Sequence, residues 1–196
     1  QIAPDDANIH NNAGYQYYRK GAYEKALEHF NEAIRLVPQF PLAYNNLGLV
    51  MQALKKPEEA IAQFQKALEI YPADKLAHYN IANVLVAEGR PQESLPEFEQ
   101  AVKNAPDNPN IITDYANALV KAQRVDDAVM LYKQALRLNP NHVGANCNLG
   151  SIMLLANELD GAIEHFRKAL ATSPDFAPAR EGLQKALHAR NRGGNG

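Results

Sequence analysis

Residues 42–72 read LAYNNLGLVMQALKKPEEAIAQFQKALEIYP. Apolar residues recur there with helical spacing in two runs, LAYNNLGLVMQAL and PEEAIAQFQKALEIY, broken at Lys55 and Lys56. Pro57 suits the first position of a helix, where its missing amide hydrogen is not needed, and Pro72 stops the second run. The stretch therefore predicts two antiparallel helices joined by a tight turn. The same arrangement returns along the chain. Prolines stand at 38, 72, 106, 140 and 174, and 72−38 = 106−72 = 140−106 = 174−140 = 34 residues. A fixed period of this length marks a repeat array. With each proline at position 32, the repeats span 7–40, 41–74, 75–108, 109–142 and 143–176.

Side-chain size follows the same period. Position 8 is Gly14, Gly48, Ala82, Ala116 and Gly150, and position 20 is Ala26, Ala60, Ser94, Ala128 and Ala162. Small residues at both places let the paired helices approach closely. Position 24 carries a ring (Phe30, Phe64, Phe98, Tyr132, Phe166) and position 27 an alanine (Ala33, Ala67, Ala101, Ala135, Ala169). A ring against a small neighbour is expected to interlock successive repeats.

The segments AYNNLG and EEAIAQFQKALEIYP, with their counterparts in the other repeats, resemble the tetratricopeptide repeat pattern. The resemblance covers residues 7–176. Position 4 departs from it, being His10, Tyr44, His78, Ile112 and Asn146 and never Trp. The resemblance implies an all-α, right-handed superhelical solenoid of antiparallel helix pairs, with five full repeats. No repeat can bury its apolar face alone, so the ends need covering. Residues 177–190 are expected to form a C-terminal capping helix, with Ala179, Leu183, Ala186 and Leu187 inward. Residues 191–196 are expected to be a flexible tail. At the other end Pro4 lies 34 residues before Pro38, so residues 1–6 read as the end of a truncated preceding repeat. Together with a start at Gln1, this suggests the C-terminal module of a longer protein. Pro96 falls inside the second helix of the third repeat and predicts a bend and low local stability.

Composition excludes several functions. Twenty Lys and Arg against 22 Asp and Glu give a net charge of −2, with no electrostatic pull toward nucleic acid. Apolar runs such as Leu47–Met51 fall far short of the roughly 20 residues that span a bilayer, so direct membrane insertion is not expected. The single Cys147 cannot form an intrachain disulfide, which leans toward a reducing, cytoplasmic setting, although a longer parent protein would be free to associate with membranes. The histidines at 10, 29, 78, 142, 165 and 188 show no metal-ligand spacing, and His29 and His165, both at position 23, read as surface residues. Cys147 has no predicted base beside it. Phosphate loops, dinucleotide fingerprints and nucleophile elbows are missing from the sequence. The expectation is a chain without catalytic residues, metal or cofactor.

Binding is the remaining function. Positions 6 and 8 differ by about 200° on a helical wheel, so positions 2, 5, 6, 9, 12 and 13 should face away from the partner helix. In tetratricopeptide arrays that face lines a concave groove. Position 6 is Asn12, Asn46, Asn80, Asp114 and Asn148, and position 9 includes Tyr15, Leu49, Asn83 and Asn117. Asparagine is a poor helix former, and its amide can pair with the backbone of an extended peptide regardless of that peptide's side chains. The series is similar to the asparagine ladder in the repeat domain of O-GlcNAc transferases; the same amides also fit a groove that is merely polar. Tyr79, Tyr18, Leu42, Leu76, Val86 and Val120 would add apolar contact, while Leu154 and Leu155 fit either groove or core. Clear groove charges are Arg19, Asp114 and Lys121. Without Lys or Arg at positions 2, 5 and 6, a clamp for acidic tails is disfavoured. Asp114 fits either selection of a basic ligand residue or a solvated acid.

The expected function is a scaffold or adaptor that binds an extended peptide or protein segment at Asn12, Asn46, Asn80, Asn83, Asp114, Asn117, Asn148, Tyr15, Leu49 and Tyr79. The alternative is a recruiting or regulatory domain of a glycosyltransferase whose catalytic part is missing, by resemblance to O-GlcNAc transferases and to tetratricopeptide tails of some membrane glycosyltransferases. Self-association through exposed array ends is a further expectation.

Overall fold

A computed structural model describes residues 4–193, and among these the chain is all α-helical. The helices are α1 (Pro4–Arg19), α2 (Tyr23–Leu36), α3 (Pro41–Ala53), α4 (Pro57–Ile70), α5 (Lys75–Ala87), α6 (Pro91–Asn104), α7 (Pro109–Lys121), α8 (Val125–Leu138), α9 (Val143–Leu155), α10 (Leu159–Thr172) and α11 (Ala177–Gly193). Each odd-numbered helix through α9 packs along the helix that follows it. With three residues between partners, this packing makes each pair antiparallel. In repeats two to five the first helix opens at the first residue of the 34-residue period.

Two boundaries differ from expectation. Residues 4–6 lie in α1, where the same positions of the later repeats form the link after the second helix. Pro4 opens the helix, as proline can, and Asp6 falls in the first turn, where a carboxylate favours the helix dipole. Residues 1–3 are outside the described residues. The capping helix continues through 191–193, expected as tail, and 194–196 are likewise outside the described residues.

Every turn between paired helices has one design. In the second repeat the Lys55 amide donates to the Gln52 carbonyl and the Lys56 amide to that of Met51. This is a Schellman closure, which requires a left-handed residue just past the helix. That residue is position 15 throughout: Gly21, Lys55, Gly89, Gln123 and Asn157, with φ of 73°, 59°, 74°, 62° and 61°.

The chain divides between Ala105 and Pro106 into two compact units. In the first, Phe30 clusters with Ala26, Leu47 and Val50, and Phe64 with Ala60, Ala77, Ile81 and Val84. A Cβ placed on Gly48 would lie 2.5 Å from the Phe64 ring, so glycine stands at position 8 of this repeat because the ring occupies that space. In the second unit, Phe166 clusters with Ala162, Ala179 and Ala186, joining α10 to α11, and a Cβ on Gly182 would collide with it. Each of these three rings thus holds its own repeat and the helix that follows. Pro96 sits inside a continuous α6, and buried Ser94 beside it donates its hydroxyl to the Pro91 carbonyl at 2.7 Å.

Candidate peptide-binding groove

The second compact unit carries a groove of about 410 Å³ between α7 and α9. Tyr132 forms its floor from α8, Asn117 and Asn148 face each other across it, and Val120, Lys121, Ser151, Ile152 and Leu155 form its sides. The amides are fixed by one another. The Asn117 Oδ1 accepts from the Tyr132 hydroxyl at 2.6 Å and from the Asn148 Nδ2 at 2.7 Å, which uses both its lone pairs. Its own Nδ2 is therefore turned outward and donates to the Asp114 Oδ1 at 3.3 Å. Burial pushes the Tyr132 phenol up to about 12, opposed by a hydrogen bond with Asn148 and reinforced by the charge of Asp114. The phenol accordingly stays a neutral donor across the physiological range.

Above this polar floor the groove is aliphatic. Leu155 is 88% exposed, although it ends a helix whose other leucines are buried or half-buried. Of the two leucines that fitted either groove or core, Leu154 packs on the Phe166 cluster and Leu155 points to solvent.

The predicted residues of the first unit are arranged differently. Asn46 is only 7% exposed and donates from Nδ2 to the Oδ1 of equally buried Asn11 at 2.8 Å. It stitches α3 to α1 and is closed to a ligand. This corrects the expected uniform row of amides: a face turned away from its own partner helix is covered by the first helix of the neighbouring repeat. Position 5 is closed as well, with Asn11, Asn45, Thr113 and Cys147 all buried, while half-buried Tyr79 stands edge-on to Phe98 of its own partner helix at 6.1 Å. Asn45 donates from Nδ2 to the Asp74 Oδ2 at 2.6 Å, while its Oδ1 is buried without a partner. Asn12 and Tyr15 are exposed, Asn80 and Asn83 are half-buried, and Leu49 packs against the Phe64 cluster.

Sequence reasoning missed the role of position 4. The His10 Nδ1 lies 3.0 Å from the His29 Nδ1, the His78 Nδ1 2.7 Å from the Glu97 Oε2, and the Asn146 Oδ1 2.8 Å from the His165 Nδ1. All three pairs join position 4 to position 23 of the same repeat. His29 and His165 are thus half-buried members of helix–helix contacts, not surface residues. The signal was present in the matched polarity of the two positions across repeats. Cys147 is 3% exposed, and burial pushes its thiol up, which removes the thiolate that reactivity needs. Among the described residues no three His, Cys, Asp or Glu side chains are grouped to hold a metal, and no helix is long and apolar enough to cross a membrane.

Comparison with known proteins agrees with this architecture. The tetratricopeptide repeat pattern matches residues 45–109 and 113–177, and a second pattern described as TPR repeat matches 14–55. The chain belongs to the tetratricopeptide repeat family, a family of protein–protein interaction modules. No curated protein matches it. Among solved structures it is similar to YrrB, described as a TPR protein with an unusual peptide-binding site, at 24% identity and TM-score 0.71 over 95% of this chain and 92% of that one. It is also similar to PilF of Pseudomonas aeruginosa, at 18% identity and TM-score 0.85 over 95% and 86%. A third is MamA of Desulfovibrio magneticus RS-1, at 23% identity and TM-score 0.75 over 88% and 97%. At these identities the likeness concerns the fold.

Proposed function

We propose that this chain is a non-catalytic interaction module that holds an extended peptide segment in the groove between α7 and α9. The observation that carries the reading is the pairing of a fixed amide floor with an exposed aliphatic side at Leu155. Asn148 gives one amide hydrogen to Asn117 and also hydrogen-bonds the Tyr132 phenol, so its Oδ1 is the group it offers to a ligand backbone. Leu155, Ile152 and Val120 cover a ligand side chain, and each buried methylene there contributes about 0.8 kcal/mol. A peptide held in this way is chosen by its extended shape first and its side chains second.

The test is selection from a displayed library of random peptides on the full chain, followed by affinity measurement of the enriched sequences. Asn148→Ala and Leu155→Ser should each weaken binding by about fivefold, the effect of losing on the order of 1 kcal/mol from a hydrogen bond or a buried apolar contact. Enriched peptides whose affinity neither substitution alters would place binding elsewhere on the molecule.

A further inference from the structure

The contact between positions 4 and 23 has a different chemistry in the first repeat. The third and fifth repeats carry one histidine at these two positions and the second and fourth none, so only the first sets imidazole against imidazole. The Nδ1 atoms of His10 and His29 lie 3.0 Å apart, and both side chains are half-buried, within reach of solvent. The His29 ring is fixed in orientation by Tyr17, stacked on it at 5.3 Å and 15°. Imidazole nitrogens that converge from two helices are ligands of the kind zinc and similar divalent ions prefer. The spacing decides whether one ion can bridge them. Zn–N bonds of about 2.0–2.1 Å at a tetrahedral angle put the two nitrogens about 3.3–3.4 Å apart. Each ring centre lies about 1.1–1.2 Å behind its nitrogen, so the centres then stand about 5.2 Å apart. The observed centres are 5.2 Å apart, with the ring planes 40° from each other. The helices therefore already hold the rings at the required separation. Turning each ring about its own centre opens the nitrogens by the missing ~0.3–0.4 Å.

We infer that His10 and His29 bind one zinc ion, or a similar divalent transition-metal ion, through their Nδ1 atoms and so clasp α1 to α2. Without the ion, one ring carries its hydrogen on Nδ1 and donates it to the other. With the ion, that hydrogen moves to Nε2 of the same ring, so both Nδ1 atoms face the metal as neutral ligands and no net proton leaves. Water fills the remaining positions. Two protein ligands in place of three or four make this an open site, whose ion exchanges with solution. The surrounding charges are mixed. Arg35 hydrogen-bonds the Glu32 carboxylate, one turn beyond His29, and with the charge of His10 holds it below its usual range, which keeps an anion beside the pair. Lys25, one turn before His29, rests its ammonium over the Tyr17 ring, 5.5 Å from the ring centre. The site lies in the first compact unit and does not depend on the groove between α7 and α9.

The test uses the full chain, stripped of metal with a chelator and titrated with zinc chloride. Long-range proton–nitrogen correlation spectra report each imidazole nitrogen separately. The Nδ1 signals of His10 and His29 should shift together and reach their end point at one equivalent of zinc. The amides of α1 should exchange more slowly with deuterium once the ion is bound, because opening the first repeat then requires its release. His10→Asn is the first variant, since Asn146 and His165 already form that pairing in the fifth repeat and the fold tolerates it. His29→Gln is the second, and circular dichroism confirms that each is folded. Both should weaken zinc binding by about tenfold or more, because losing one of two ligands costs at least as much as losing an outer partner of a ligand. The inference is overturned if zinc shifts the signals of His78, His142, His165 or His188 in place of these two. It is overturned equally if neither substitution alters the affinity, or if the His10 and His29 signals stay unmoved at a large excess of zinc.

Discussion

Position 15 offers a substitution whose sign runs against ordinary expectation for a helical protein. Replacing Lys55 or Gln123 by glycine should stabilise the fold. Both residues have φ near +60°, and both are exposed. A side chain in that region costs about 1–2 kcal/mol because Cβ crowds the following carbonyl. Glycine removes the cost and returns about 0.5–1 kcal/mol of it through the greater freedom of the unfolded chain. The net gain is roughly 0.5–1 kcal/mol per site. Lys55 and Gln123 lie in different compact units, so the two gains should add. In a chain of this size 1 kcal/mol corresponds to about 2–4 °C in Tm, and the double variant should melt about 2–8 °C higher. Scanning calorimetry and urea unfolding followed by circular dichroism both read the effect. Gln65→Gly, an exposed site in the middle of α4, is the control and should lose about 0.5 kcal/mol. If Lys55→Gly and Gln123→Gly lower Tm as the control does, the left-handed closure of these turns is not what limits stability.

Two further outcomes are expected. Pro96→Ala should raise stability by up to about 3 kcal/mol, because it supplies a missing amide hydrogen and relieves the ring's crowding of the preceding turn. Before substitution, the amides of α6 should exchange with deuterium fastest among the five second helices, and equal protection in all five would show that the proline is accommodated without loss. Acidification should weaken the second unit. Burial holds the His165 imidazole below its ordinary value, with Lys168 adding to the effect, and burial lowers His142 against the pull of Asp114. The unfolded chain therefore takes up protons first, so stability is complete above about pH 6.5 and is lost as pH falls toward the depressed folded values. His165→Gln keeps a donor for the Asn146 carbonyl and should flatten the decline in Tm between pH 7.5 and 5.5. A decline as steep in the variant as in the parent chain would remove His165 as a cause.

The fold was legible because its determinants are periodic. The prolines at position 32, the rings at position 24 and the alanines at position 27 each appear five times, so the helix pairs could be placed nearly to the residue. The candidate site was legible only in part. A wheel drawn for one repeat marks Asn46 and Asn148 as equivalent, yet one is buried against Asn11 and the other opens onto a groove. What separates them is the neighbour each meets: Asn11 lies at position 5 of its repeat, whereas Asn117 lies at position 9 and is drawn toward Tyr132. Tyr132 is the one ring of the series with a hydroxyl, and that single atom orients the Asn117 amide. The histidine contacts were hidden for a related reason, since they join residues 19 apart on two helices and no single-helix period displays them.

Those contacts bear on how a chain of near-copies assembles correctly. Five similar first helices and five similar second helices offer many wrong marriages during folding, and internal similarity is a known source of misassembly in repeat proteins. Positions 4 and 23 give the partners of a repeat matching credentials. His10 meets His29, His78 meets Glu97 and Asn146 meets His165, while the fourth repeat has Ile112 and Leu131 at the same two places. A first helix of the fourth repeat docked on the second helix of the third would set Ile112 against Glu97 and leave a half-buried carboxylate without its histidine partner. The departure from the family's tryptophan at position 4 thus separates the apolar fourth repeat from the polar first, third and fifth, and it penalises the exchange of helices between those two groups.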